Sequence, residues 1–325
     1  MKKFILTLLI PFSVFAQTNT VCFKIEANPN TSDAALSAFT KYVNVLNCFE
    51  IYAEASISDS KVLHAAAVAA ELLDNDESGT VDDPLIEAQL ANSNALMPLF
   101  SSEGSVGENA FFDNYIGNGV SAVLYNGEID PSQAGHWGDD ATVEEILHTI
   151  NHVGHTNVYP DAFNMAPGSS LMTAAMDVAR GGQFLSIPNP YPASAWYHYD
   201  DQTCDYECMS IEYIYWAIVS NMGILDDTQT AAGIANEWEP YNASLLESMD
   251  TLMFALITNP EYQLPQDAPD GNYCPGQIGI TEWANPCRQL IKIVDVLGRE
   301  TQPTKNTPLF YLFNDGSVEK KMIIE

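Results

Sequence analysis

A mainly helical α+β domain, with a small β tail at its C-terminus, is the fold class this sequence predicts. Three observations lead there. Apolar residues recur at three-to-four spacing through several segments of the body. The acidic stretch "LLDNDESGTVDDPLIEAQL" separates two of those segments, as the loop of a helix–loop–helix does. Beyond residue 288 the composition turns basic, and "NDG" sits between "LFYLF" and "VEKKMIIE" as a hairpin turn signal.

The elements follow in chain order. "MKKFILTLLIPFSVFAQ" has two lysines before an apolar run and a small-residue cleavage site ending at Ala16, so residues 1–16 read as a secretory signal peptide. No other segment approaches the ~20 apolar residues of a spanning helix. In "DAALSAFTKYVNVL", Leu36, Phe39, Tyr42, Val43 and Leu46 predict a helix behind Thr31 and Ser32. "KVLHAAAVAAELL" and "PLIEAQLANSNALM" predict two more, flanking the acidic loop. "SVGENAFFDNYIGNGVSAVLYNGEI" has the glycines and β-branched residues of loops with short strands. Strong helices are expected to begin near Thr142 and Met209. The proline- and glycine-rich "LPQDAPDGNYCPGQIG" closes a body spanning residues 17–287, and residues 288–325 form the tail.

Charge and cysteines bound the function. The net charge is −31, and between Gln17 and Cys287 the only basic side chains are Lys24, Lys41, Lys61 and Arg180. Such a surface repels nucleic acid and anionic membranes and suits salty water or calcium. A saline habitat accounts for most of the acids. Cys22, Cys48, Cys204, Cys208, Cys274 and Cys287 are even in number, and in an exported chain disulfides are the default. Their order suggests Cys22–Cys48, Cys204–Cys208 and Cys274–Cys287, one of fifteen possible connectivities. A four-cysteine zinc site lacks its pair of C-x-x-C motifs.

Two constellations carry chemistry. The acidic loop offers Asp74, Asp76, Ser78, Thr80 and Asp82, with Gly79 for the sharp turn. Oxygen ligands at alternate positions can wrap calcium, making the segment EF-hand-like, and extracellular modules of this kind bind in roughly the 0.1–1 mM range. The twelfth position is Leu85 rather than a bidentate glutamate, leaving Asp83 or Glu87 as substitutes. A solvated acidic turn is the plainer account.

The second constellation is "ATVEEILHTINHVGH", which holds half of the chain's 6 histidines. At about 100° per residue, Val143, Ile146, Leu147 and Ile150 make an apolar stripe, and Glu144 and His148 share one flank. His155 returns to that flank two turns on, out of reach of one metal unless the chain bends at Gly154. Thr142 and Glu145 also match a capping box, which would occupy Glu145 with a backbone N–H. In "CMSIEYIYWAIVSNMGIL" the only charge is Glu212, and an unpaired carboxylate in so apolar a helix would cost on the order of 3 kcal/mol. It needs a metal, a histidine, a tyrosine hydroxyl or a basic residue beside it. Between the two helices, "NPYPASAWYHYDDQTCDYEC" is dense in aromatics, among them Tyr199, a candidate oxyanion donor. Aromatic packing is the alternative. No phosphate-binding glycine loop and no G-x-S-x-G elbow occurs in the sequence.

Two resemblances sharpen this reading. "VDVLGRE", "NTPLFYLFNDGSVEKK" and the closing "IIE" resemble the end of the type IX secretion sorting domain of Bacteroidota proteins. That resemblance implies a partner in the type IX machinery and delivery through the periplasm to the cell surface or medium; a plain C-terminal hairpin is the alternative. Glu144-Glu145-x-x-His148 resembles the H-E-x-x-H motif of zinc metallopeptidases with the first histidine replaced by glutamate, and the layout with Glu212 is similar to the lethal factor group. It implies zinc on Glu144, His148 and Glu212, with Glu145 as general base and a peptide or protein substrate. The missing first histidine favours instead a non-catalytic, calcium-stabilised surface or binding module.

Overall fold

The computed structural model describes residues 23–132, 140–275, 290–295, 298–299, 301, 308–313 and 318–321. Residues 1–16, expected to be a signal peptide, lie outside them. Two compact units divide the chain, Met1–Pro275 and Gly276–Glu325.

The first unit is mixed α/β. Strands β1 (Glu26–Ala27), β2 (Lys41–Val45), β3 (Phe49–Ala53), β4 (Ala95–Phe100) and β5 (Leu124–Tyr125) form one sheet in chain order. β1, β2 and β3 pair antiparallel, whereas β3–β4 and β4–β5 are parallel. The helix expected over residues 33–46 is a correction: turns lead into β2 instead. Leu46 and Asn47, with φ of 49° and 59°, turn the chain back at once, pairing Val45 with Phe49. Tertiary pairing on this hairpin overrides the apolar spacing.

The alternation of a strand explains both faces of the sheet. Val43, Val45, Phe49, Ile51, Met97 and Leu99 belong to the main core with the helices. Tyr42, Tyr52, Leu96 and Phe100 belong to a second cluster with Phe39 and Phe111.

Helix α1 (Asp59–Leu73) is capped by Ser58 and buries Ala65 to Ala70 without a break. Small side chains let it lie close against β2, β3 and the histidine helix. α2 (Pro84–Ser93) ends at Asn94, which takes the left-handed conformation at φ 50°, so Ala95–Met97 belong to β4 rather than to the expected helix. α3 (Val106–Asn114) lies where loops and short strands were expected. Ser105 accepts from Glu108 N at 3.1 Å and Glu108 reaches back to Gly104 N, a helix-start signal hidden among glycines.

α4 (Thr142–Thr149) runs into a π turn (Ile150–His155), then α5 (Thr156–Val158) and α6 (Pro160–Phe163). α7 (Leu171–Ala179), α8 (Tyr206–Asn221), α9 (Thr228–Ile234), α10 (Ala243–Met249) and α11 (Thr251–Ile257) complete the unit. α8 begins three residues before the expected Met209, where Asp205 caps it by accepting from Cys208 N at 3.0 Å. No helix among the described residues is long and apolar enough to cross a membrane.

Cys204 and Cys208 form the expected disulfide, across the start of α8. The Cys22–Cys48 pairing is corrected: Cys48 is a free thiol, buried at the β2–β3 turn, and burial pushes its pKa up to about 12. It packs as a small apolar group. Cys274 is disulfide-bonded. Cys22 and Cys287 lie outside the described residues.

In the second unit β6 (Leu290–Val294), β7 (Leu309–Phe313) and β8 (Val318–Lys321) form an antiparallel sheet in that order. Arg299 closes the first turn, its Nε donating to Asp295 at 2.8 Å.

Candidate metal centre

Helix α4 starts from a buried anchor. Asp140 accepts from Thr142 Oγ1 at 2.5 Å and lies 2.8 Å from His64 Nε2 on α1. Against the upward push of burial, these two bonds hold the Asp140 carboxyl below the usual carboxylate range. The expected capping box is thereby corrected. Thr142 is inside the helix rather than at its cap, and its hydroxyl serves Asp140, so Glu145 is not drawn to the helix start.

With the helix fixed, Glu144, Glu145 and His148 point toward α8. His148 Nε2 lies 3.6 Å from Glu212 Oε2, and its Nδ1 lies 3.6 Å from Glu145 Oε2. One ligand atom each from Glu144, His148 and Glu212 falls within 4.8 Å of the others. The apolar stretch of α8 around Glu212 therefore delivers that carboxylate to the histidine.

The charged groups of this cluster shift one another. Burial pushes Glu144 up to about 7, with Glu212 and Glu145 adding to the shift and His148 opposing it. Burial alone would neutralise His148, but Glu212 and Glu145 raise its pKa well above the ordinary value.

A metal fits the geometry. Two ligands each ~2.1 Å from a tetrahedral centre are ~3.4 Å apart, close to the 3.6 Å between His148 Nε2 and Glu212 Oε2. That separation is too long for a hydrogen bond, and Nε2 is buried with no hydrogen-bond partner. One imidazole and two carboxylates form a donor set that zinc accepts.

Two cavities flank the cluster. One of ≈ 230 Å³ is lined by Glu144, Tyr199, Glu212, Trp216, Ile234 and Glu237 among others. The other, of ≈ 360 Å³, is reached by Glu145, His148, His152, Asp205 and Glu207. Tyr199 thus stands beside Glu144 and Glu212; burial, then the charges of Glu212, Asp201 and Glu144, raise its pKa and keep it a hydroxyl donor. Its neighbours in the aromatic loop are committed to packing: Trp196 Nε1 donates to Asp250 at 2.9 Å, and Tyr197 donates to Met209 O at 2.8 Å.

The remaining histidines of the segment diverge. His152 Nδ1 lies 2.7 Å from Ser121 Oγ. His155 packs edge-on against Phe163, its Nε2 3.2 Å from Tyr262 O, and burial pushes its pKa down to about 4. The π turn carries it there. At Gly154 a side chain would meet Ile86 on α2, its Cβ 3.2 Å from the Ile86 methyl.

The acidic loop is a second cluster. Carboxylate oxygens of Asp74, Asp76 and Asp82 lie within 4.8 Å of one another. Asp74 is fully buried and accepts from Ser78 N at 2.9 Å, Gly79 N at 2.7 Å and Tyr273 OH at 2.5 Å. Gly79 takes φ 92°, the turn its position requires. Ser78 Oγ lies 2.9 Å from Thr80 Oγ1. Of the two substitutes for the twelfth ligand, Asp83 is committed elsewhere: it caps α2 by accepting from Leu85 N and accepts from Tyr159 OH at 2.6 Å. Leu85 itself is exposed.

Sequence reasoning missed Trp216, Glu237 and Glu207 as cavity-lining residues. Their helical spacing to Glu212 on α8 could have found Trp216, four residues on, and nothing local marks Glu237. No protein family, curated protein or solved structure matches the chain.

Proposed function

We propose that the chain is an exported, metal-dependent hydrolase that cleaves peptide bonds. The observation that carries this reading is the convergence of Glu144, His148 and Glu212, with a buried imidazole nitrogen left without a hydrogen-bond partner. These three residues would hold zinc, which supplies Lewis acidity toward a substrate carbonyl and water. Glu145, lining the cavity beside His148, is the general base. It accepts a proton from the attacking water and passes it to the departing amine as the C–N bond breaks. Tyr199 donates its hydroxyl proton in a hydrogen bond to the developing oxyanion.

The acidic loop would hold calcium through Asp74, Asp76 and Asp82, with Ser78 and Thr80 nearby, and pin α1 to α2. The leader and the C-terminal tail support export through the periplasm by the type IX route. The Cys204–Cys208 disulfide agrees with an oxidising destination.

Metal analysis and peptide turnover test the site together. Mature protein is expected to bind about one zinc per chain and to cleave members of a mixed peptide library. Glu145→Gln keeps the zinc and loses ~100-fold or more of the hydrolysis. Zinc-loaded protein that leaves every peptide intact would return the chain to a calcium-stabilised binding module.

A further inference from the structure

The ≈ 230 Å³ cavity beside Glu144 has chemistry that the hydrolytic step does not use. Trp216 lines it, is itself buried, and its Nε1–H has no acceptor. Its stacked neighbour Trp238 shows the contrast, donating to Ser220 Oγ at 2.8 Å and Pro240 O at 3.0 Å. A buried donor without a partner is where a ligand acceptor gains most. Glu237, outside the metal cluster, lines the same cavity. Tyr199 and Ile234 add apolar wall, and no lysine or arginine among the described residues lines the space.

An occupant that satisfies this lining offers a hydrogen-bond acceptor, an apolar stem and a positive charge. We propose that this cavity is a specificity pocket for a lysine or arginine side chain of a peptide, with Glu237 facing the cation and Trp216 Nε1 donating to the peptide backbone. The inference rests on the hydrolase reading for its substrate class, but it concerns binding and can be tested without turnover. With a metal on Glu144 and Glu212, Glu237 is the lining carboxylate left to recognise the charge. Aromatic faces of Tyr199 and Trp216 favour a cation further.

Gly233 provides a clean block. It lines the cavity, and a Cβ built on it meets nothing within 4 Å, so a side chain there starts from open space. The experiment titrates zinc-loaded mature Glu145→Gln protein, which keeps the metal on Glu144 and Glu212 and does not turn the peptide over during the titration, with Ac-Ala-Lys-Ala-amide and Ac-Ala-Met-Ala-amide by calorimetry. The lysine peptide is expected to bind at least ~10-fold tighter, the order of one charge-assisted contact. Glu237→Gln removes the preference, and Gly233→Leu removes binding of both peptides. Equal affinities, no binding, or a preference that survives Glu237→Gln overturns the pocket. Selective binding, with no peptide cleaved by the unaltered zinc-loaded protein, keeps the pocket and overturns the hydrolase. Cleavage without preference for lysine or arginine does the reverse.

Discussion

The acidic loop and the histidine cleft are both clusters of three potential ligands, but they are built in opposite ways. Asp74, Asp76 and Asp82 come from one turn, and backbone N–H groups of Ser78 and Gly79 already point at Asp74. Glu144 and His148 come from α4, and Glu212 arrives on α8. The first cluster is organised by its own loop. The second exists only while two helices stay packed. A cation in the loop should therefore act as a local staple, whereas one in the cleft reports on the fold around it.

The largest expected effect separates the two outright. His148→Ala should reduce bound zinc from about one per chain to none while leaving the loop's response to calcium intact. Retention of zinc in that variant would place the metal elsewhere.

A smaller effect addresses the loop. At a hundredfold excess over its Kd, calcium stabilises by ~2.7 kcal/mol, a rise in Tm on the order of 5–10 °C. Chelator should remove that rise, and Asp74→Ala with Asp76→Ala should abolish the difference. Identical melting curves with and without chelator in the unaltered protein would remove calcium from the account.

The smallest effect is a pH dependence rooted behind the loop. Glu71 on α1 is buried and accepts from Asn272 N at 2.9 Å and Gly271 N at 3.0 Å. Burial pushes its pKa from 4.5 up to about 8, the Gly271 N–H opposing. A raised folded-state pKa means the protonated form favours folding. This contribution is complete below about 4.5 and is lost as pH rises through about 8. Glu71→Gln should flatten that slope and gain on the order of 1 kcal/mol at pH 9, read by urea unfolding at several pH values. An unchanged slope would show that the Gly271 and Asn272 amides compensate the burial fully.

The same contrast explains what the sequence made legible. Asp74 to Asp82 could be read because every participant lies within one loop and Gly79 marks the turn. Glu144 and His148 could be read from the helical period, and Glu212 from its isolation in an apolar helix. α1 announced itself through alanine. What stayed hidden was long-range. The segment around Tyr42 and Val43 has helical spacing, yet β1 and β3 recruit it into a sheet. Asp140 takes the Thr142 hydroxyl that a capping box would need, and that rivalry depends on His64 from another helix. Cys48 was paired by order along the chain, although its burial at the hairpin turn sets its fate. Glu237 reaches the cleft from beyond α9, where no local pattern announces it.

The π turn after α4 acts as a phase shifter. Its wider i→i+5 closure takes in one more residue than an α-helical turn would, so the two ends of one continuous helix address different neighbours. His148 faces the carboxylates and His155 faces Phe163 and Tyr262. Deleting a single residue from Ile150–His155 would rotate one end against the other by about 100°. Either the packing face or the ligand face would then be turned away, and both could no longer be satisfied together. A six-residue segment with no ligand in it thus fixes the angular relation between stability and chemistry in this domain.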